Sequence, residues 1–286
     1  MTTVRRGVWA SLPIVVRATL AGLGLGLVAA NVWLVLLAKL DIVMAAPAEV
    51  MFLGVFLWWA SGGGPPRSWK ASRVQSFRRT SLTRGQWLWA SIAAASFAVT
   101  VHAAMVVLYR LVPFPAAAFH AGYDLSFIAS PQLRWLAILV SAASAGICEE
   151  TGFRGYLQRP IEKRHGALAA ICISSLLFTV IHLPKGWSTI SVVPIVLGAG
   201  LLLGMLAWVS GSLVPGMIAH TLMDAGLFAY WWVQIAGPFP QRPVGDVGLD
   251  HSFYIESVAL VSALTMTLTA ILMLQKIGRE RREQVR

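Results

Sequence analysis

Eight apolar stretches, each about as long as a bilayer's hydrocarbon layer requires, recur along the chain and leave only short connections between them. A spanning helix needs about 20 mostly apolar residues. Hydropathy over a window of about 19 residues places such stretches near residues 12–38, 47–61, 86–109, 132–158, 166–183, 192–210, 212–236 and 255–275. In lipid, every backbone polar group needs an internal partner, which continuous helices supply. A content of 57% hydrophobic against 12% charged residues, with a mean hydropathy of +0.70, excludes a soluble globular domain. The expectation is an all-α fold, a polytopic membrane helical bundle of about eight transmembrane helices, with residues 1–286 forming one membrane domain.

The net charge of +11 lies in short basic blocks between apolar runs, so it reads as a topology signal and not as a nucleic-acid surface. The strongest block holds Arg67, Lys70, Arg73, Arg78, Arg79 and Arg84 with no acidic residue among them, and the positive-inside rule puts it in the cytoplasm. Alternating sides then brings Arg5 and Arg6, the Arg159-Lys163-Arg164 turn and the basic tail 276–286 inside, with Asp41, Asp124, Asp246 and Asp250 outside. Both termini are expected to be cytoplasmic, in the plasma membrane. The run after Arg5 and Arg6 contains Arg17 and no small-x-small cleavage site, so it reads as a retained span and not as a signal peptide. Trp58-Trp59, Trp87/Trp89 and Trp231-Trp232 fall at span ends, where aromatic rings favour the interface. Gly22-x-x-x-Gly26 and Gly200-x-x-x-Gly204 read as close helix packing. Cys148 and Cys172 lie in apolar segments with no CxxC or Cys/His spacing, which indicates neither a disulfide framework nor a zinc ribbon.

Three polar stretches break the apolar pattern: Glu149-Glu150 with Arg154, Phe178 with His182, and His220 with Asp224. An ionisable side chain near the bilayer centre costs roughly 2.5 to 3.5 kcal/mol, so its default reading is functional. Residues four apart share a helix face. Glu150 and Arg154 therefore form a natural ion pair, which leaves Glu149 pointing elsewhere. His220 and Asp224 share a face by the same spacing, although His120 and Asp124 repeat it in an outer loop, so the spacing is weak by itself. Glu149 precedes the turn at Arg164–Gly166 by as much chain as His182 follows it, so at about 1.5 Å per residue both rise roughly 22–24 Å from that turn. Given eight residues of its own span, His220 reaches about 12 Å, and the three meet in one buried layer.

A buried carboxylate with two imidazoles suits water activation: the glutamate accepts a proton and later passes it on, while the imidazoles hold the water or donate to an oxyanion. Glu149, His182 and His220, with Asp224 nearby, also match the oxygen and nitrogen ligands of a divalent metal such as zinc. The residues leave that choice open.

In this order on successive helices, EExxxR (Glu149-Glu150-x-x-x-Arg154), FxxxH (Phe178-x-x-x-His182) and HxxxD (His220-x-x-x-Asp224) resemble the type II CAAX prenyl endopeptidase family, also called the CPBP or Abi family of intramembrane proteases, over about residues 132–236. The resemblance implies an endopeptidase that hydrolyses a peptide bond of a membrane-associated protein or peptide near the cytoplasmic face. It makes Glu149 the general base, with His182 sharing the water, His220 and Asp224 stabilising the oxyanion, and Glu150, Arg154 and Phe178 supporting. The family's last motif position is most often asparagine, a ready donor, whereas Asp224 donates only when protonated. Two other readings use the same residues: a non-catalytic immunity or scaffold protein of the same fold, and a proton-coupled transporter. The lipid bilayer and a membrane-associated substrate are the expected partners.

Overall fold

The structure, a computed structural model, describes residues 8–183 and 187–284. Arg5, Arg6, Pro184 and Arg286 lie outside the described residues. In chain order the helices are α1 (Val8–Ser11), α2 (Ile14–Lys39), α3 (Ile42–Ala60), α4 (Lys70–Ser76), α5 (Arg84–Leu111), α6 (Ala116–Gly122), α7 (Pro131–Glu150), α8 (Arg159–His165), α9 (Ala167–Val180), α10 (Val193–Ser210), α11 (Val214–Leu227), α12 (Val244–Val247) and α13 (His251–Gln284). Two wide-turn π segments, Thr151–Gln158 and Phe228–Trp232, continue α7 and α11.

Every apolar stretch of the sequence corresponds to a helix, and the chain is an all-helical integral membrane protein. Among the described residues, six helical runs are long and apolar enough to cross a bilayer: 14–39, 42–60, 84–111, 131–165, 190–210 and 251–281. The expected count of eight is therefore not reached on length. The fifth stretch stops as a 14-residue helix at Val180, and the seventh completes its length only through the π segment. Both pack against neighbouring helices of the bundle, α9 on α10 and α11 on α7 and α5, so neither has to cover the full lipid width alone. The last helix extends beyond 255–275 at both ends and takes in most of the expected basic tail.

Local chemistry explains the breaks. Thr83 caps α5 through a reciprocal pair with Gln86, which satisfies two orphan donors. Ser130 caps α7, with Pro131 in its first turn, where a missing N–H costs nothing. Gly166 ends α8 at φ 86°, a conformation open chiefly to glycine. That turn reverses the chain from α8 into α9, as the sequence suggests.

The basic block is only partly a topology signal. Arg73 is buried and donates to the carbonyls of Trp59, Gly63, Gly64 and Pro66, closing the loop after α3. Arg78 is buried too. It pairs with Glu162 and donates to Arg154 O and Ala207 O at 3.1 Å each, tying the loop before α5 beneath α8 and α10. At the opposite end Arg110 joins α5 to α13 through Asp250 at 2.7 Å and Glu256 at 2.9 Å. Trp231 corrects the interfacial reading of Trp231-Trp232, since it is fully buried and packs among Tyr109, Phe114 and Phe239. His120 lies within helix α6 and not in a loop.

Small residues set the closest helix contacts, as expected from the two glycine repeats. Gly22 and Gly26 of α2 face Gly152, with Leu157 and Cys148 alongside. A Cβ at Gly152 would come within 2.6–2.9 Å of Gly22 O and the Gly26 backbone. Because backbone on the far side cannot swing away, Gly152→Ala is expected to destabilise the protein by about 1–3 kcal/mol, the usual cost of overpacking. Thermal unfolding of the purified variant checks this, and an unchanged midpoint would show that α2 yields.

Candidate active site

Glu149 and Glu150 end the regular part of α7, and the π segment that follows widens the turn. Such segments often occur at functional sites. Arg154 and Gln158, four residues apart on that segment, are both fully buried. Arg154 donates to Gly200 O at 3.3 Å and Gln158 to Gly204 O at 3.0 Å. The second glycine repeat therefore sits between two neighbours: Cβ atoms at Gly200 and Gly204 would meet Ser175 and Ile171 of α9 at 3.1 Å, while the two carbonyls accept from Arg154 and Gln158.

Glu150 accepts from Arg154 Nη1 at 2.8 Å, the expected ion pair one turn apart. It also bonds His220 Nδ1 at 2.9 Å through the same oxygen, Oε1. The sequence pairs Glu150 with Arg154, and the structure adds His220, which makes Glu150 the hub of an Arg154–Glu150–His220 chain. A carboxylate facing a guanidinium acts as an acceptor, so His220 Nδ1 carries the hydrogen. Its Nε2 then points to Asp224 Oδ2 at 3.5 Å and Glu149 Oε2 at 3.9 Å. Gly216 and Gly146 make this approach feasible. A Cβ at Gly216 would stand 3.0 Å from Glu150 Oε2, and one at Gly146 would meet the backbone of Met217 and Thr221 at 2.9 Å.

His182 follows α9 in a turn, and its Nδ1 lies 2.7 Å from Phe178 O. Since a carbonyl only accepts, Nδ1 is the donor and Nε2 is the acceptor atom of the neutral ring. Phe178 packs between the polar groups, with its ring 4.6 Å from that of His182, 5.9 Å from that of His220 and 4.6 Å from the Arg154 guanidinium carbon. Its supporting place is thus physical: it covers the ion pair with a π face and separates the two imidazoles.

Glu149, His182, His220 and Asp224 all line one cavity of about 150 Å³, whose other walls are chiefly apolar, among them Met105, Phe119, Met223 and Trp232. By volume it admits several water molecules. The three polar stretches converge as the depth argument expects. One buried carboxylate escaped that reading. Glu49 of α3 is fully buried and accepts from Ser144 Oγ at 2.7 Å, on the face of α7 that also carries Cys148. The signal was present, since Glu49 is a lone acid inside the second apolar run.

Oxygen and nitrogen donors around His220 Nε2 have the chemistry zinc takes, and Glu150 on Nδ1 is the outer partner that metal-bound imidazoles commonly have. Among the described residues, no three His, Cys, Asp or Glu side chains are gathered as a metal-holding group.

Residues 131–226 match the family model described as Type II CAAX prenyl endopeptidase Rce1-like. The matched segment runs from the start of α7 to the end of α11 and contains all three motifs, which bears out the resemblance drawn from them. No curated protein and no solved structure matches the chain.

Proposed function

We propose, on the premise that residues 131–226 are a type II CAAX prenyl endopeptidase Rce1-like domain, that this protein is an intramembrane endopeptidase in which Glu149 activates water against a peptide bond. The observation that carries the reading is the convergence of Glu149, His182, His220 and Asp224 on one mostly apolar cavity within the bundle. Glu149 takes a proton from the water as its oxygen attacks the carbonyl carbon. His182 Nε2 accepts the other water hydrogen and fixes the line of attack. The carbonyl oxygen becomes an oxyanion, which His220 stabilises through Nε2–H, and Glu149 delivers its proton to the leaving amine as the C–N bond breaks.

Asp224 Oδ2 lies 3.5 Å from His220 Nε2, one turn along the same helix, and holds the orientation of the ring. Glu150 and Arg154 position His220 and do not touch the substrate.

Glu149, His182 and His220 are zinc ligands by residue type, but among the described residues they are not gathered as a metal-holding group, so no step is routed through a metal. The decisive measurement is cleavage of membrane-anchored peptides by the purified protein in lipid nanodiscs, read by mass spectrometry, with prenylated and unmodified peptides compared and a chelator added. Cleavage unaffected by the chelator is expected. Loss on chelation with recovery on adding zinc would move Glu149 from base to ligand. No cleavage of any peptide, in a protein that still confers a cellular phenotype after Glu149→Ala, would favour the immunity or scaffold reading. We further propose the plasma membrane as the location, with the end of the bundle that carries Gly166 in the cytoplasm.

A further inference from the structure

At the end of the bundle that carries Gly166, and separate from the cavity around Glu149, a second pocket of about 520 Å³ opens between α2, α4 and α8. It is lined by Ile14, Arg17, Gln75, Pro160, Lys163 and Arg164, so three cationic side chains from two helices share one space. Like charges gathered this way repel, and the neighbouring carboxylate of Glu162 is already taken. Of the two Glu162 oxygens, Oε2 pairs with Arg78 and Oε1 with Arg159. Among the described residues, Arg17 Nε is buried with no hydrogen-bond partner. A buried N–H donor without a partner is costly, and an anion in the pocket would supply one while offsetting the repulsion.

The position identifies the class of anion. Arg17 sits in the first turn of a membrane-spanning helix, at the depth where long basic side chains reach the headgroup layer. Beside it on α2, Val16 and Leu20 are one turn apart and exposed; Ile14 and Pro160 add apolar surface inside the pocket. Cations over apolar surface complement a phosphate that carries acyl chains, and basic pockets between membrane helices take such headgroups. We propose that the pocket between α2, α4 and α8 binds the phosphate headgroup of an anionic membrane phospholipid.

The test uses the full-length purified protein with phosphatidylglycerol or phosphatidylcholine, reading retained lipid by native mass spectrometry and the melting midpoint in nanodiscs of each lipid. Wild type is expected to retain phosphatidylglycerol in preference to phosphatidylcholine and to melt higher in its presence. Lys163→Gln/Arg164→Gln removes two exposed cations with little risk to folding. At about fivefold per cation near an anionic surface, it is expected to weaken retention by about 25-fold. Arg17→Gln is expected to act in the same direction. Arg67→Gln/Lys70→Gln, equal in charge but outside the pocket, is expected to leave retention unchanged. Equal loss in that control would reduce the effect to net charge and overturn the site. So would indifference to headgroup charge, and so would inorganic phosphate alone raising the midpoint as far as the lipid does, which would mark a soluble anion as the occupant.

Discussion

Glu149→Gln is expected to lower turnover of a membrane-anchored peptide by about 10²–10⁴-fold, the range a positioned general base contributes, with the melting midpoint unchanged. Glutamine fills the same space and keeps an oxygen near His220, but it cannot take a proton from water. Glu149 is largely buried on the cavity wall, and its contact with His220 Nε2 is long at 3.9 Å, so an amide of the same shape gives up little there and folding and insertion should survive. Turnover within about threefold of wild type in the purified variant would remove Glu149 from the reaction and with it the water-activation scheme.

The second large effect concerns stability. Glu150→Ala leaves the fully buried Arg154 guanidinium without its carboxylate, and breaking a buried pair from one side costs about 3–5 kcal/mol. His220 Nδ1 loses its acceptor in the same stroke. Because well-packed apolar residues often replace a buried pair at no net cost, Glu150→Leu/Arg154→Met is expected to recover most of the thermal midpoint. Activity should remain low by about 10–100-fold, the usual effect of losing the partner that orients an imidazole. Thermal unfolding and turnover of the two variants, measured side by side, separate the roles. A double variant that regains both would reduce Glu150 to a packing element.

Much of the architecture was legible in the sequence because lipid enforces it: apolar runs of spanning length have few alternatives to helix. The places where the reading failed share a cause. Arg73 and Arg78 look in sequence like any other loop cations, and only the fold shows that they are buried and donate to backbone carbonyls, Arg73 around the loop after α3 and Arg78 to the π segment and α10. Trp231 follows the rule that aromatic rings gather at interfaces until Tyr109, Phe114, Tyr230 and Phe239 pack against it inside the bundle. The pairing of Glu150 with Arg154 was readable from spacing within one helix. Its bond to His220 joins segments 70 residues apart, and spacing carries no information about that. The π segment after Glu150 was likewise invisible, since no residue pattern in Thr151–Gln158 announces a wider turn.

Arg154 and Gln158 grip carbonyls spaced one helical turn apart on α10, and the two bonds fix a register as two teeth do in a rack. A shift of one residue between the segments would break both bonds together, so sliding is an all-or-none event and not a gradual drift. His220 hangs from the same hub through Glu150. The placement of its ring therefore shares one chain of bonds with the seating of the π segment on α10.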